Sequence, residues 1–295
     1  MKPPPFEYVA PVDFAGALDA ASKYGSEAKL LAGGQSLIPA MNFRVAQPAV
    51  LIDLNRIPDL EYVQRHPSGG LAVGAMARHR RLEFDPQVKQ SVPLLAEAVP
   101  FIAHPQIRNR GTLGGSLAHA DPAAELPVIA LALQARMRCA STRGERWIEA
   151  ADFFQGMFTT ALAPDEILAE VVFPAPPEHQ GYAFEEFARR KGDYALMGVA
   201  CLIGLDAAGR CDQARLVFLN AGDGPMPAGE AEAMLQGSSV SEDSALAAAV
   251  HASEKEIEPL GNLHATPAFQ RHLARILARR AILAASERAR QTSAA

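Results

Sequence analysis

The sequence predicts an α+β chain of about two domains, and three observations lead there. First, 295 residues with 49% hydrophobic and 21% charged side chains are enough for about two cores of ordinary size. Second, short apolar runs alternate with helix-like runs over the first 55 residues, the pattern of a small α/β unit. Third, the texture changes beyond the proline-rich stretch 174–181 (PAPPEHQG). Strands there follow one another across short turns, as in an antiparallel meander, and helices then take over.

The elements follow in order. Phe6–Val9 is a short strand. Pro11–Tyr24 is a helix, with Phe14, Ala17, Leu18 and Ala21 at helical spacing and Gly25 as its stop. Ala28–Ala32 is a strand that runs into Gly33-Gly34. Ser36–Phe43 fits one or two helical turns, and Ala49–Leu54 (AVLIDL) is a buried strand. Leu60–Val63 and Leu71–Ala75 read as a hairpin across a Pro-Ser-Gly-Gly turn. Arg78–Glu83 (RHRRLE) reads as a solvated helix face. Pro93–Ile102 and Ala123–Leu133 are helix-like, Ala135–Ala140 is a strand, and Phe153-Phe154 is a packed aromatic pair. Glu166–Phe173 (EILAEVVF) is a strand stopped by proline. Tyr182–Arg189 partly alternates, and Val199–Asp206 and Ala214–Asn220 are strands. Helices dominate from Met226. Pro267–Ala289 is a long amphipathic helix anchored by Phe269, Leu273, Ile276, Leu277 and Ile282, with residues 291–295 frayed.

Composition excludes several functions. A net charge of −5 argues against a general nucleic-acid binder. No apolar run approaches the ~20 residues of a membrane span. Residues 1–11 lack an apolar segment of the signal-peptide kind. Cys139, Cys201 and Cys211 are isolated, which speaks against a zinc or iron–sulfur site made by this chain and fits a reducing cytoplasm.

The chemistry concentrates in Arg108–Pro127, RNRGTLGGSLAHADPAAELP. Gly114-Gly115 lies between Thr112 and Ser116. Paired glycines let backbone N–H groups approach an anion, because no Cβ intervenes, and the two hydroxyls add donors. A second pair, Gly33-Gly34, is followed by Gln35 and Ser36 in LAGGQSL. Two such loops suit the two phosphates of a dinucleotide. Each loop alone is also what an ordinary turn shows, and neither is a Walker A or a GxGxxG motif.

Together, LAGGQSL and IRNRGTLGGSLAHADPAAELP resemble the FAD-binding medium subunit of the molybdenum hydroxylases. That family includes the medium subunit of carbon monoxide dehydrogenase and the flavin domain of xanthine dehydrogenase. DEIL at Asp165–Leu168 and RRKGDYA at Arg189–Ala195 carry the same resemblance, which covers nearly the whole chain. It implies a vanillyl-alcohol-oxidase/PCMH-type FAD-binding domain over residues 1–177, with α/β subdomains of about 1–55 and 56–177. A C-terminal domain of antiparallel sheet and helices would follow at 178–290. It implies bound FAD here, and a molybdopterin and two [2Fe–2S] clusters on partner chains. Those partners are a large molybdopterin subunit and a small [2Fe–2S] subunit, expected as a dimer of heterotrimers. Electrons would pass from the [2Fe–2S] subunit through FAD to an external acceptor.

By the same resemblance, Ala32, Gly33, Gly34, Gln35, Ser36 and Leu37 form one pyrophosphate loop. Thr112, Leu113, Gly114, Gly115 and Ser116 form the other. His119 and Glu125 fall at polar FAD contacts; the alternative for Glu125 is a first-turn carboxylate favoured by a helix dipole. Leu168 matches a residue that touches the isoalloxazine ring, and a core leucine would look the same. Lys191 and Tyr194 are assigned to the flavin edge or to a plain surface turn. Gln35 stands where relatives carry His or Asn, and Glu185 where the xanthine dehydrogenase domain has a lysine. No residue of this chain is needed as a general base or nucleophile. Two other classes stay open: a self-sufficient FAD reductase on the same fold, and a binding module whose glycine loops are only turns.

Overall fold

In the computed structural model, residues 2–293 are described. The chain opens with a parallel layer. Strand β1 (Glu7–Val9) is followed by helix α1 (Phe14–Tyr24), β2 (Ala28–Leu31), α2 (Leu37–Asn42) and β3 (Val50–Asp53). The sheet order is β1-β3-β2, and both pairings are parallel. Asp13 caps α1 by accepting from Gly16 N at 2.8 Å, and Gly25 ends it at φ 49°, a conformation glycine adopts without a Cβ clash. Because β2 and β3 run parallel, the loops leaving both strands open on one edge. Loop 33–36 and Asn55 therefore share it.

A second sheet comes next. Strands β4 (Val63–Arg65) and β5 (Leu71–Gly74) form the expected hairpin. Its first strand starts at Val63 rather than Leu60, because Pro58–Leu60 closes a 3-10 turn. Three short helices follow: α3 (His79–Phe84), α4 (Pro86–Ser91) and α5 (Pro93–Ala98). The helix expected to reach Ile102 tightens into a 3-10 turn at Val99–Phe101, where Pro100 has no N–H to continue the α ladder. Helices α6 (Pro105–Arg108), α7 (Leu113–His119) and α8 (Glu125–Ala132) carry the chain to β6 (Arg136–Ser141) and β7 (Gly144–Glu149). After α9 (Ala150–Phe153) and a small hairpin, β8 (Phe154–Gly156) with β9 (Thr159–Thr160), comes β10 (Ile167–Phe173). The sheet order is β4-β5-β10-β6-β7, antiparallel throughout. Phe153 and Phe154 pack edge to face, 5.2 Å apart.

The remaining strands make the expected antiparallel meander. They are β11 (Gln180–Ala188), β12 (Ala195–Leu205), β13 (Cys211–Leu219) and the short β14 (Met226–Pro227), paired in that order. Every residue of β12 is buried, because the sheet is covered on both faces. Helices α10 (Gly229–Leu235), α11 (Glu242–His251) and α12 (Pro267–Ser293) cover one face with an alanine- and leucine-rich core. On the other face Phe184, Leu202, Val217 and Leu219 join the same core as Leu95, Ile129 and Phe153. Two expectations for α12 need correction. Phe269 is 41% exposed rather than an anchor, since it lies in the first turn, ahead of the buried stripe. Residues 291–293 continue the helix instead of fraying; 294–295 lie outside the described residues.

Among the described residues, no helix is long and apolar enough to cross a membrane. No three His, Cys, Asp or Glu side chains among them gather as a metal site, and the three cysteines are free and buried.

Candidate functional site

The two glycine loops meet. A Cβ built on Gly33 would lie 2.4 Å from Arg110 O and 2.7 Å from Gly111 Cα. One built on Gly115 would lie 3.3 Å from Ala32 Cβ. Glycine at 33 therefore lets the backbone of one loop lie directly on the backbone of the other. Beside this junction is a cleft of about 440 Å³, walled by Leu31, Ile38 and Ile107, with Asp53, Asn55 and Arg110 among its polar residues.

The loops differ in what they offer an anion. In the first, Gly34 has φ +72°, and Gln35 Nε2 turns back to Gly33 O at 2.8 Å. Ile38 N donates to Gly34 O at 3.1 Å, and Ala40 N to Ser36 O at 3.1 Å, which starts α2. The N–H groups of Gly33, Gly34, Gln35 and Ser36 find no acceptor among the described residues. Clustered unpaired N–H groups of this kind form an anion-binding nest. Leu37 begins α2 and is half-buried.

The second loop corrects the expectation that both loops present free N–H groups. Leu113 N donates to Ala77 O at 3.0 Å, Gly114 N to Ala75 O at 2.8 Å and Ser116 N to Thr112 O at 3.1 Å. Gly115 N donates to Thr112 Oγ1 at 3.1 Å, so Thr112 caps α7. Glycine is required at 114 because a Cβ would lie 2.5 Å from Ala75 Cβ; the reason is close packing of α7 on the end of β5. What this loop leaves for a ligand is the half-buried Ser116 hydroxyl, which has no partner among the described residues; the Thr112 hydroxyl hydrogen is unspent, but the residue is only 1% exposed.

Around these loops the other residues fall into two groups. Glu125, at the start of α8, is buried, and burial pushes its carboxyl up to about 7, with Asp121 adding to the effect. Tyr194, 70% exposed, lies within electrostatic reach of Asp121 and Glu125. Glu186 on β11 is a third acid there. One of its oxygens is buried without a partner, and burial, then Glu125, push it up to about 9. His119 packs its ring 5.0 Å from Phe158, and burial holds its pKa down. The remaining residues are less engaged. Leu168 belongs to the core at 4% exposure. Lys191 is exposed. Its neighbour Gly192, at φ +89°, lies against the His104 ring, where a Cβ would be 2.3 Å away. Burial raises the Glu185 carboxyl above its ordinary value, with Arg280 and Arg288 of α12 opposing the rise and Glu97 adding to it.

Sequence reading missed Asp53, Asn55, Arg78 and Arg110. A signal was present: ligand loops gather at the carboxyl ends of parallel strands, and Asp53 and Asn55 end β3 just as Gly33 follows β2. RHRRLE is only partly the solvated face expected. Arg80 and Arg81 face water, but Arg78 is half-buried and His79 buried, both against the loop that precedes α7. Glu83 pairs with the buried Arg108 at 2.9 Å.

Comparison with known proteins agrees with this geometry. Residues 4–176 match the family model described as the FAD binding domain in molybdopterin dehydrogenase. Residues 182–285 match the CO dehydrogenase flavoprotein C-terminal domain. The chain is 42% identical, over 99% of its length and 98% of the relative's, to the 6-hydroxypseudooxynicotine dehydrogenase complex subunit alpha of Paenarthrobacter nicotinovorans. It is 34% identical to the carbon monoxide dehydrogenase medium chain of Afipia carboxidovorans, over 98% of this chain and 100% of that one. Among solved structures, carbon monoxide dehydrogenase from Hydrogenophaga pseudoflava superimposes with a TM-score of 0.94 at 38% identity, covering 98% of this chain and 99% of that one. Quinoline 2-oxidoreductase from Pseudomonas putida 86 superimposes with a TM-score of 0.93 at 38% identity over the same shares. With its cleft, its two apposed glycine loops and full-length matches to dehydrogenase subunits, the chain belongs to the family of FAD-binding medium subunits of the molybdenum hydroxylases.

Proposed function

We propose that this chain carries FAD between a [2Fe–2S] subunit and an external electron acceptor, within a molybdenum-containing hydroxylase or dehydrogenase. The observation that carries the reading is the apposition of Gly33 on Arg110–Gly111, with four unpaired N–H groups beside the cleft. The diphosphate would lie on the nest at Gly33, Gly34, Gln35 and Ser36, whose N–H groups offset its negative charge. Thr112 and Ser116 would donate their hydroxyl hydrogens from the facing loop. Glu125 and His119 would meet polar groups further along the cofactor, and Leu168, Lys191 and Tyr194 the flavin end. When bound, FAD supplies exchange between one- and two-electron chemistry, while the protein positions it and tunes its electronics.

The division of labour follows from the same reading. The molybdopterin and two [2Fe–2S] clusters would sit on a large and a small partner, in a dimer of heterotrimers in the cytoplasm. Residues 1–177 would hold the dinucleotide, and 178–290 would close the flavin side.

The test is to purify the chain with its co-expressed partners. The complex is expected to contain flavin, molybdenum and iron, and its flavin should bleach on adding organic substrate only when all three subunits are present. A colourless chain that takes up no FAD would refute the reading. Turnover of substrate by the isolated chain would replace it with a self-sufficient reductase.

A further inference from the structure

The basic run ahead of the second glycine loop holds that loop in place. Arg78 and His79 bind three consecutive carbonyls. Arg78 Nη1 donates to Arg110 O at 2.5 Å, His79 N to Gly111 O at 2.9 Å, and His79 Nε2 lies 2.9 Å from Thr112 O. Burial keeps the His79 ring neutral, with its pKa pushed down to about 4. Nε2 therefore carries the proton that this bond needs.

Arg78 also reaches across the junction. Its Nη2 donates to Asn55 Oδ1 at 2.6 Å. Asn55 Nδ2 donates onward to Ala32 O at 2.9 Å, at the entry to the first glycine loop. Asn55 is itself held, because its N–H donates to Asp53 Oδ1 at 2.9 Å and Asp53 accepts from Tyr8 Oη. Among the described residues no carboxylate lies within ion-pair distance of Arg78. Both prongs of its fork are spent on neutral acceptors, one on each side of the junction. A lysine, with a single ammonium point, cannot hold two such acceptors in a fixed plane. The carbonyl it grips, Arg110 O, is the atom on which Gly33 rests.

We propose that Arg78 is a positioning residue for the dinucleotide: with Asn55 it clamps the two glycine loops at one spacing, so that the ligand meets both without having to draw them together. The proposal rests on the placement of FAD in this cleft. Arg78 acts through the loops and needs no contact with the cofactor. Because Arg78 and Asn55 stand in series, breaking either link frees the same motion, and breaking the second adds little.

The test is a double-mutant cycle on the full-length chain. FAD is stripped, and its dissociation constant is measured by titration of flavin fluorescence. Asn55→Ala and Arg78→Met are each expected to weaken FAD binding about 10-fold or more, and the double variant no more than about threefold beyond the weaker single variant, the signature of a shared interaction. Arg78→Lys keeps the charge and is expected to stay weakened. Thermal unfolding of each apo variant separates loss of the clamp from loss of the fold; should Arg78→Met fail to fold, Asn55→Ala and Arg78→Lys carry the test. Wild-type affinity in the single variants, wild-type affinity in Arg78→Lys, or multiplied losses in the double variant would each overturn the clamp. Failure of the wild-type chain itself to bind FAD would instead strike the placement beneath it.

Discussion

Substituting Gly33→Ala tests the junction directly. The new methyl would sit 2.4 Å from Arg110 O, 2.7 Å from Gly111 Cα and 2.9 Å from Arg110 C. Carbon pairs make ordinary contact from about 3.5 Å, so the methyl falls short by roughly 0.8 Å against Gly111 Cα. All three obstructing atoms are backbone and cannot rotate away. Overpacking of this kind costs about 1–3 kcal/mol. In the variant the methyl pushes the loops apart against the Arg78–Asn55 link, so part of this cost should appear as a lower melting temperature of the apo chain. Whatever the apo chain escapes by parting the loops returns when the ligand needs them at their wild-type spacing, and the full 1–3 kcal/mol would be a rise in the FAD dissociation constant of roughly 5- to 140-fold. The assay is fluorescence titration of the stripped chain with FAD, with thermal unfolding in parallel. Gly224→Ala, where no heavy atom lies within 4 Å of the new Cβ, is the control and should bind within about twofold of wild type. A folded Gly33→Ala chain with wild-type affinity would show that the loop junction does not set the cofactor site.

Two further outcomes are expected. Arg108→Met removes a buried guanidinium that binds Glu83 at 2.9 and 3.2 Å and the carbonyls of Ile102 and Ala103 at 2.9 and 3.1 Å; it should cost about 3–5 kcal/mol, read by urea unfolding, and a loss under about 1 kcal/mol would refute the buried-pair argument. Glu186→Gln should flatten the pH dependence of stability. The folded pKa of Glu186 lies above its ordinary value of 4.5, at about 9, so its contribution is fully present below pH 4.5 and is lost as pH rises through about 9. The glutamine variant should therefore match wild type near pH 5 and melt higher near pH 9, and parallel melting curves across that range would count against a buried, protonated acid.

Much of the fold was legible because its signals are local. AVLIDL, the meander strands and the long C-terminal helix each carry their own periodicity and punctuation. Partner choice was not legible. Nothing near β10 says that it runs between β5 and β6, strands that precede it by about 95 and 30 residues. The site divided in the same way. Paired glycines announced both loops, but the reason for the glycines differed: at 33 and 114 they admit neighbouring backbone and Ala75, and only the first loop keeps its N–H groups unpaired. Arg78 and Asn55 are ordinary polar residues in sequence, and their meaning comes from what the fold brings beside them. RHRRLE read as a water-facing run because nothing within six residues says that its first two side chains turn inward.

The meander sheet, with a hydrophobic core on each face, bears on how the holoprotein is made. A hinge between the halves would have to expose Phe184, Leu202, Val217 and Leu219, all at 5% exposure or less, at a cost of about 1.5–3 kcal/mol for each such side chain. Loading of the nucleotide by a jaw-like opening of the whole subunit is thereby disfavoured. With the two halves docked before the ligand arrives, uptake is expected to follow a single bimolecular phase whose rate scales with flavin concentration, without a slow first-order isomerisation.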